Sequence, residues 1–179
     1  MTASSIDNYH DFVAELAAPG RLREELVPPA LLNSQLFKDA YNTRIIDDIK
    51  KALFYGRDTD LLDYWRDQLG HTTGATYDVV HKDLLHAILG MRSESGELIE
   101  LLYTALVDKT EIDRTKLISE LGDVLWYLAL ACNVLGINLW DVIDGNVTKL
   151  LKRFPNAKFS EALAINKNVD AENELLSSV

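Results

Sequence analysis

Between about residues 77 and 107, apolar side chains return every three or four positions, at Val80, Leu84, Ala87, Ile88, Met91, Leu98, Leu101, Leu102 and Ala105. That spacing follows the 3.6-residue turn of a helix; a half-buried strand would alternate every second residue. After a polar turn over 108–113 the period resumes. A helix is predicted over about 114–135, with Leu117, Leu121, Val124, Leu128, Ala131 and Leu135 on one side and Gly136 placed for a left-handed cap. Another is predicted over about 139–154, stopping at Pro155. Shorter helices are expected over 5–17, 43–55 and 60–68, with a connector at Pro28-Pro29 and a loop over 70–74. Strand patterns are essentially absent, so the expected fold is an all-α helical bundle. Gly90 and Gly96, inside the longest helix, cost roughly 1 kcal/mol each relative to alanine, which points to a break or a close packing contact there.

The expected organisation is a helical extension over 1–76 packing on a core over 77–168, followed by a polar tail over 169–179. With 179 residues, 47% of them hydrophobic and 26% charged, the chain can build one real core. Its formal charge of -10 and pI near 4.8 would repel a phosphate backbone, so a nucleic-acid partner is not expected. A nucleotide is still allowed, because a bound divalent metal inverts the field around a few carboxylates. The single cysteine, Cys132, can make no intrachain disulfide. The start MTASSIDNYHDF has neither a basic nor an apolar leader segment, and the longest apolar run, 124–132, is far short of the ~20 residues a spanning helix needs. A soluble cytoplasmic protein without a membrane partner is the expectation.

Two pairs of acids carry the chemistry. Glu94 and Glu97 are three residues apart, as are Glu120 and Asp123, so each pair lies on one face of its helix and can address the same ion. Glu94 falls among Ala87, Met91, Leu98, Leu101 and Ala105, and Glu120 beside Leu117, Val124, Tyr127 and Ala131. A carboxylate in an apolar stripe persists when it is paired, protonated or bound to metal. Magnesium, with manganese as a substitute, suits such oxygen ligands. The plainer alternative is an acid solvated at the helix surface or paired with a base such as Arg92 or Lys116. Asp78-x-x-His81 and Asp83-x-x-His86 do not make the Glu-x-x-His pattern of a di-iron bundle.

The motifs Glu94-Ser-Gly-Glu97 and Glu120-Leu-Gly-Asp123, twenty-two residues apart, resemble those of the MazG-like all-α nucleotide pyrophosphohydrolases of bacteria and phages. The similarity extends through LLHAILGMRSESGELIELL, ISELGDVLWYLALACNVLGINLWDVIDGNVTKLLKRFP and KFSEALAINKN, about residues 78 to 168. One position departs: Ser93 stands where a further acid is usual. The resemblance implies hydrolysis of a (d)NTP to a (d)NMP and pyrophosphate, with water attacking the α-phosphate. It implies Mg²⁺ held by Glu94, Glu97, Glu120 and Asp123, and puts Glu97, or else Glu94, at the attacking water. It also implies phosphate contacts from Asn146, Lys149 and Arg153, which share a face by spacing and could equally complement the end of a helix dipole. His86, Trp126 and Tyr127 are candidate base contacts, with core packing the commoner use of such residues. A homodimer or homotetramer is expected from the family, and dGTP and dCTP are both among the candidate substrates. The competing reading is a noncatalytic helical interaction protein that keeps the fold and uses residues 1–76 as its binding arm.

Overall fold

The computed structural model describes residues 6–17, 27–57, 59–69 and 81–173. Their regular structure is wholly helical: α1 (Ile6–Leu16), α2 (Pro29–Tyr55), α3 (Asp60–Leu69), α4 (Lys82–Asp108), α5 (Arg114–Leu135), α6 (Leu139–Arg153), α7 (Glu161–Ile165) and α8 (Val169–Asn173). The all-α expectation holds. The loop expected over 70–74, and the residues before 81 of the helix expected from 77, lie outside the described residues.

Contacts divide the chain into two units, residues 23–135 and residues 1–22 with 136–179. In the 23–135 unit α4 packs against both α2 and α5, and α3 against α2. Helix α2 begins fourteen residues earlier than its apolar spacing suggests. Pro29 occupies the first turn, where a missing N–H leaves nothing unsatisfied, so the proline pair opens a helix instead of forming a connector. The helix ends at Gly56, whose φ of 67° lets its N–H reach the Ala52 carbonyl while Arg57 N–H reaches that of Lys51.

Helix α4 runs unbroken through its two glycines, and close packing is the reason they are there. A Cβ on Gly90 would lie 2.2 Å from the Tyr127 ring of α5, and one on Gly96 would lie 1.9 Å from Thr43 Oγ1 of α2. Buried Thr43 donates to the Asp39 carbonyl at 2.8 Å and accepts from Arg92, which also ion-pairs with Asp39. Arg44 adds a 3.0 Å pair to Glu100. These contacts fix the register of α2 along α4.

By length and composition alone, α5 could cross a membrane, although no uninterrupted apolar run does. Among its side chains Ile118, Leu121, Leu125, Trp126 and Leu135 are exposed, while Tyr127, Ala131 and Cys132 are buried. Its side against α4 carries Glu120, within hydrogen-bonding reach of Glu97.

The other unit has its own small core, Phe12 of α1 against Val147 of α6, with Tyr9, Leu16, Ile143 and Leu150 around it. Helix α6 opens on a reciprocal cap: Asn138 accepts from Trp140 N–H at 2.8 Å, and Asp141 accepts from Asn138 N–H at 3.3 Å. The segment expected as a polar tail begins with α8, which is tied to α6 through Glu172 and Arg153.

Gly96→Ala is expected to destabilise the protein by about 1–3 kcal/mol through overpacking, although alanine at an open helix site gains up to ~1 kcal/mol. Urea unfolding measures it. A variant as stable as the parent would contradict the close approach of α2.

Candidate functional site

Helices α4 and α5 bring together Glu94, Glu97 and Glu120: one ligand oxygen from each lies within 4.8 Å of the others. Glu94 is buried, and Glu97 and Glu120 are half-buried. Asp123, the fourth expected acid, is exposed and stands outside this group, although its charge still acts on Glu120. Burial, then the charges of Glu94, Glu120 and Asp47, push the Glu97 carboxyl up to about 7. Burial and the charges of Glu94 and Asp123 also raise Glu120, against a hydrogen bond with Glu97 that lowers it. Near neutral pH the Glu97 carboxyl is thus partly protonated, and it is hydrogen-bonded to Glu120. Crowded hard oxygen donors short of positive charge fit a hard divalent cation.

The positive charge that is present comes from a helix in which the sequence reading found no chemistry. Lys50 of α2 is 2% exposed. Its Nζ donates to Glu94 Oε1 and Ser93 Oγ at 2.7 Å each, pairs with Asp47 Oδ1 at 3.1 Å, and lies 5.1 Å from the centre of the Tyr127 ring. Burial opposes the ammonium charge, but the hydrogen bonds to Glu94 and Asp47 outweigh it and hold the Lys50 pKa above that of an ordinary lysine. Lys51 also pairs with Asp47. Arg92, named from sequence as a partner for the acids, is taken by Asp39. A signal for Lys50 did exist: it sits at helical spacing from Ile46, Leu53 and Phe54, a lysine in an apolar stripe.

Beside the acids a cleft of about 420 Å³ runs along the turn between α4 and α5. Glu97 and Glu120 stand on its wall with Thr104, Thr110, Asp113 and Lys116. The aromatic residues gather toward the other end of α4. His86 stacks on Phe54 with centroids 4.2 Å apart, its Nε2 lies 3.1 Å from Tyr55 Oη, and it meets the rings of Trp126 and Tyr127 edge-on. Burial first, then the Lys50 charge, lower its pKa. Tyr127 is buried under Gly90, and burial with the Tyr55 hydrogen bond pushes its phenol up to about 12. Both pack against neighbouring rings, and Trp126 is 56% exposed.

Asn146, Lys149 and Arg153 belong to the other unit. There Arg153 is committed: its Nε and Nη2 donate to the two Glu172 oxygens at 2.8 and 2.5 Å. That hydrogen bond holds the Glu172 carboxyl below the usual carboxylate range.

A folded-state pKa of about 7 for Glu97, raised from 4.5, adds stability that is complete below pH 4.5 and lost as pH rises through 7. Metal-free protein should therefore lose part of its melting temperature over that window. Glu97→Gln should flatten the slope and leave the variant more stable than the parent at pH 8. Thermal melts in EDTA decide it; parallel slopes would contradict the crowding of the acids.

Comparison with known proteins bears on the same segment. Residues 82–158 match the model of the MazG nucleotide pyrophosphohydrolase domain. The Gene 37 protein of Mycobacterium phage L5 is 36% identical over 74 residues, 39% of this chain and 65% of that protein. The chain thus aligns with just under two thirds of that relative's length. No solved structure matches the chain. The matched segment contains Glu94, Glu97, Glu120 and Asp123 as well as α6, and leaves out α2 with Lys50. Over residues 82–158 this chain is therefore similar to the MazG nucleotide pyrophosphohydrolase domain.

Proposed function

We propose that the protein hydrolyses a nucleoside triphosphate at the bond between its α- and β-phosphates, adding water to release a nucleoside monophosphate and pyrophosphate. The observation that carries this is the convergence of Glu94, Glu97 and Glu120 inside the matched segment. Glu94, Glu97 and Glu120 would hold Mg²⁺, or Mn²⁺ in its place, with Asp123 as a further ligand one turn along α5. When bound, the metal supplies charge neutralisation for the triphosphate and acidifies water.

The residues of the chain account for the rest. Glu97 is assigned to the proton of the attacking water, with Glu120 hydrogen-bonded beside it. Glu94 is the alternative base, but its Oε1 is already engaged by Lys50. The cleft beside Glu97 has the volume of a small-ligand site. Trp126 is the aromatic face free to meet a base; His86 and Tyr127 would act through it. Asn146, Lys149 and Arg153 are the proposed contacts to phosphate oxygens, Arg153 being the one already engaged by a carboxylate, Glu172.

The reading extends to control of the dNTP pool in the cytoplasm, with dGTP and dCTP among the substrates. A nucleic-acid partner is not part of it, given the net charge of -10. Nor is a membrane, since α5 carries Glu120 and Asp123 within its length. The exposed apolar side chains of α5 would be covered in a homodimer or homotetramer. The competing reading as a helical interaction protein draws on exposed Leu31, Leu32, Phe37 and Tyr41 of α2.

Purified protein with Mg²⁺ should release pyrophosphate from at least one of the common ribo- or deoxyribonucleoside triphosphates. Glu97→Gln and Glu120→Gln should each slow that release at least ~100-fold, the usual weight of a positioned acid or base. Variants as fast as the parent, or no release from any triphosphate, would remove the enzyme reading in favour of the interaction protein.

A further inference from the structure

We propose that Lys50 is a built-in cation of the carboxylate centre, which occupies one oxygen of Glu94 and stands in for a divalent ion until metal binds. This rests on the metal-binding reading of Glu94, Glu97 and Glu120. A lysine with 2% exposure must have its charge and its donors satisfied within the protein. An ammonium has three N–H groups, and Lys50 has three oxygen partners from two helices: Ser93 Oγ, Glu94 Oε1 and Asp47 Oδ1. Its position is therefore fixed, and so is the carboxylate it holds.

Ser93 Oγ in turn donates to the Gly90 carbonyl at 3.0 Å, so the Lys50 contact is anchored on the backbone of α4. With Oε1 held, Glu94 has Oε2 left to offer a metal. A fixed positive charge beside the ligands opposes the arrival of a second cation, so Lys50 lowers how tightly the centre takes metal. Lys50 is a positioning residue that lies outside the segment matching the MazG domain. The clamp of Thr43 against Gly96 and of Arg92 against Asp39 delivers it to Glu94. A purely structural ion pair would stabilise the fold without altering metal binding, and that difference is measurable.

The test is Mn²⁺ titration by calorimetry on the full chain, comparing the parent with Lys50→Met and Lys50→Arg, alongside thermal melts in EDTA. Lys50→Met should melt lower in EDTA, yet bind Mn²⁺ at least about tenfold tighter or take up a further equivalent, because a nearby like charge is gone. Lys50→Arg should restore the parent's Mn²⁺ binding. Unchanged or weaker Mn²⁺ binding by folded Lys50→Met overturns the role of Lys50 alone. If Lys50→Met is unfolded without metal, Mn²⁺ should restore its helical circular dichroism, and failure to do so equally overturns that role. A parent protein that binds no Mn²⁺ overturns the metal centre and the role of Lys50 together.

Discussion

A carboxylate that has lost nearly all its water needs positive charge close by, and Glu94 draws that charge from Lys50 at 2.7 Å. Much of the 23–135 unit can be understood from this pair. Removing either partner would leave the other charged and buried, which is costlier than never having built the pair. Two helices far apart in sequence are thereby committed to one register. Around the pair the remaining acids stay undercompensated: burial first, then the charges of Glu94, Glu120 and Asp47, push Glu97 up to about 7. Lys50 balances part of the negative charge, and the part it leaves is what a divalent ion would find.

The glycines of α4 make the approach possible. Without side chains at Gly90 and Gly96, Tyr127 and Thr43 lie directly on the helix backbone, so α5 and α2 come close on either side of the acids. A helix that gives up about 1 kcal/mol of propensity at each position gains close packing at two. Local preference and tertiary need conflict at these positions, and the acids lie between and beside them. This is where a functional demand on the fold is expected to show.

The helices were legible because their apolar spacing is strong, and the four acids because three-residue spacing is a geometric statement about one helix face. Less could be read at the ends and across helices. Helix α2 starts at Pro29 because a proline-capped first turn does not need apolar periodicity, so the period alone located just its second half. The Lys50 pairing joins residues 44 positions apart, and no local pattern encodes which lysine reaches which acid. Asp123 illustrates the reverse limit: spacing places it with Glu120 on α5, but the fold leaves it exposed while Glu120 turns toward α4. Arg153, expected from its spacing to meet phosphate, is instead held by Glu172, a carboxylate that lies beyond the motif.

The reaction proposed for this centre has one feature that separates it from other triphosphate hydrolyses, the phosphorus that water attacks. Turnover in water enriched in oxygen-18, with both products analysed by mass spectrometry, reads it directly. Attack at the α-phosphate places the heavy oxygen in the nucleoside monophosphate and leaves the pyrophosphate unlabelled. Label in the pyrophosphate, or release of orthophosphate in its place, would contradict the account.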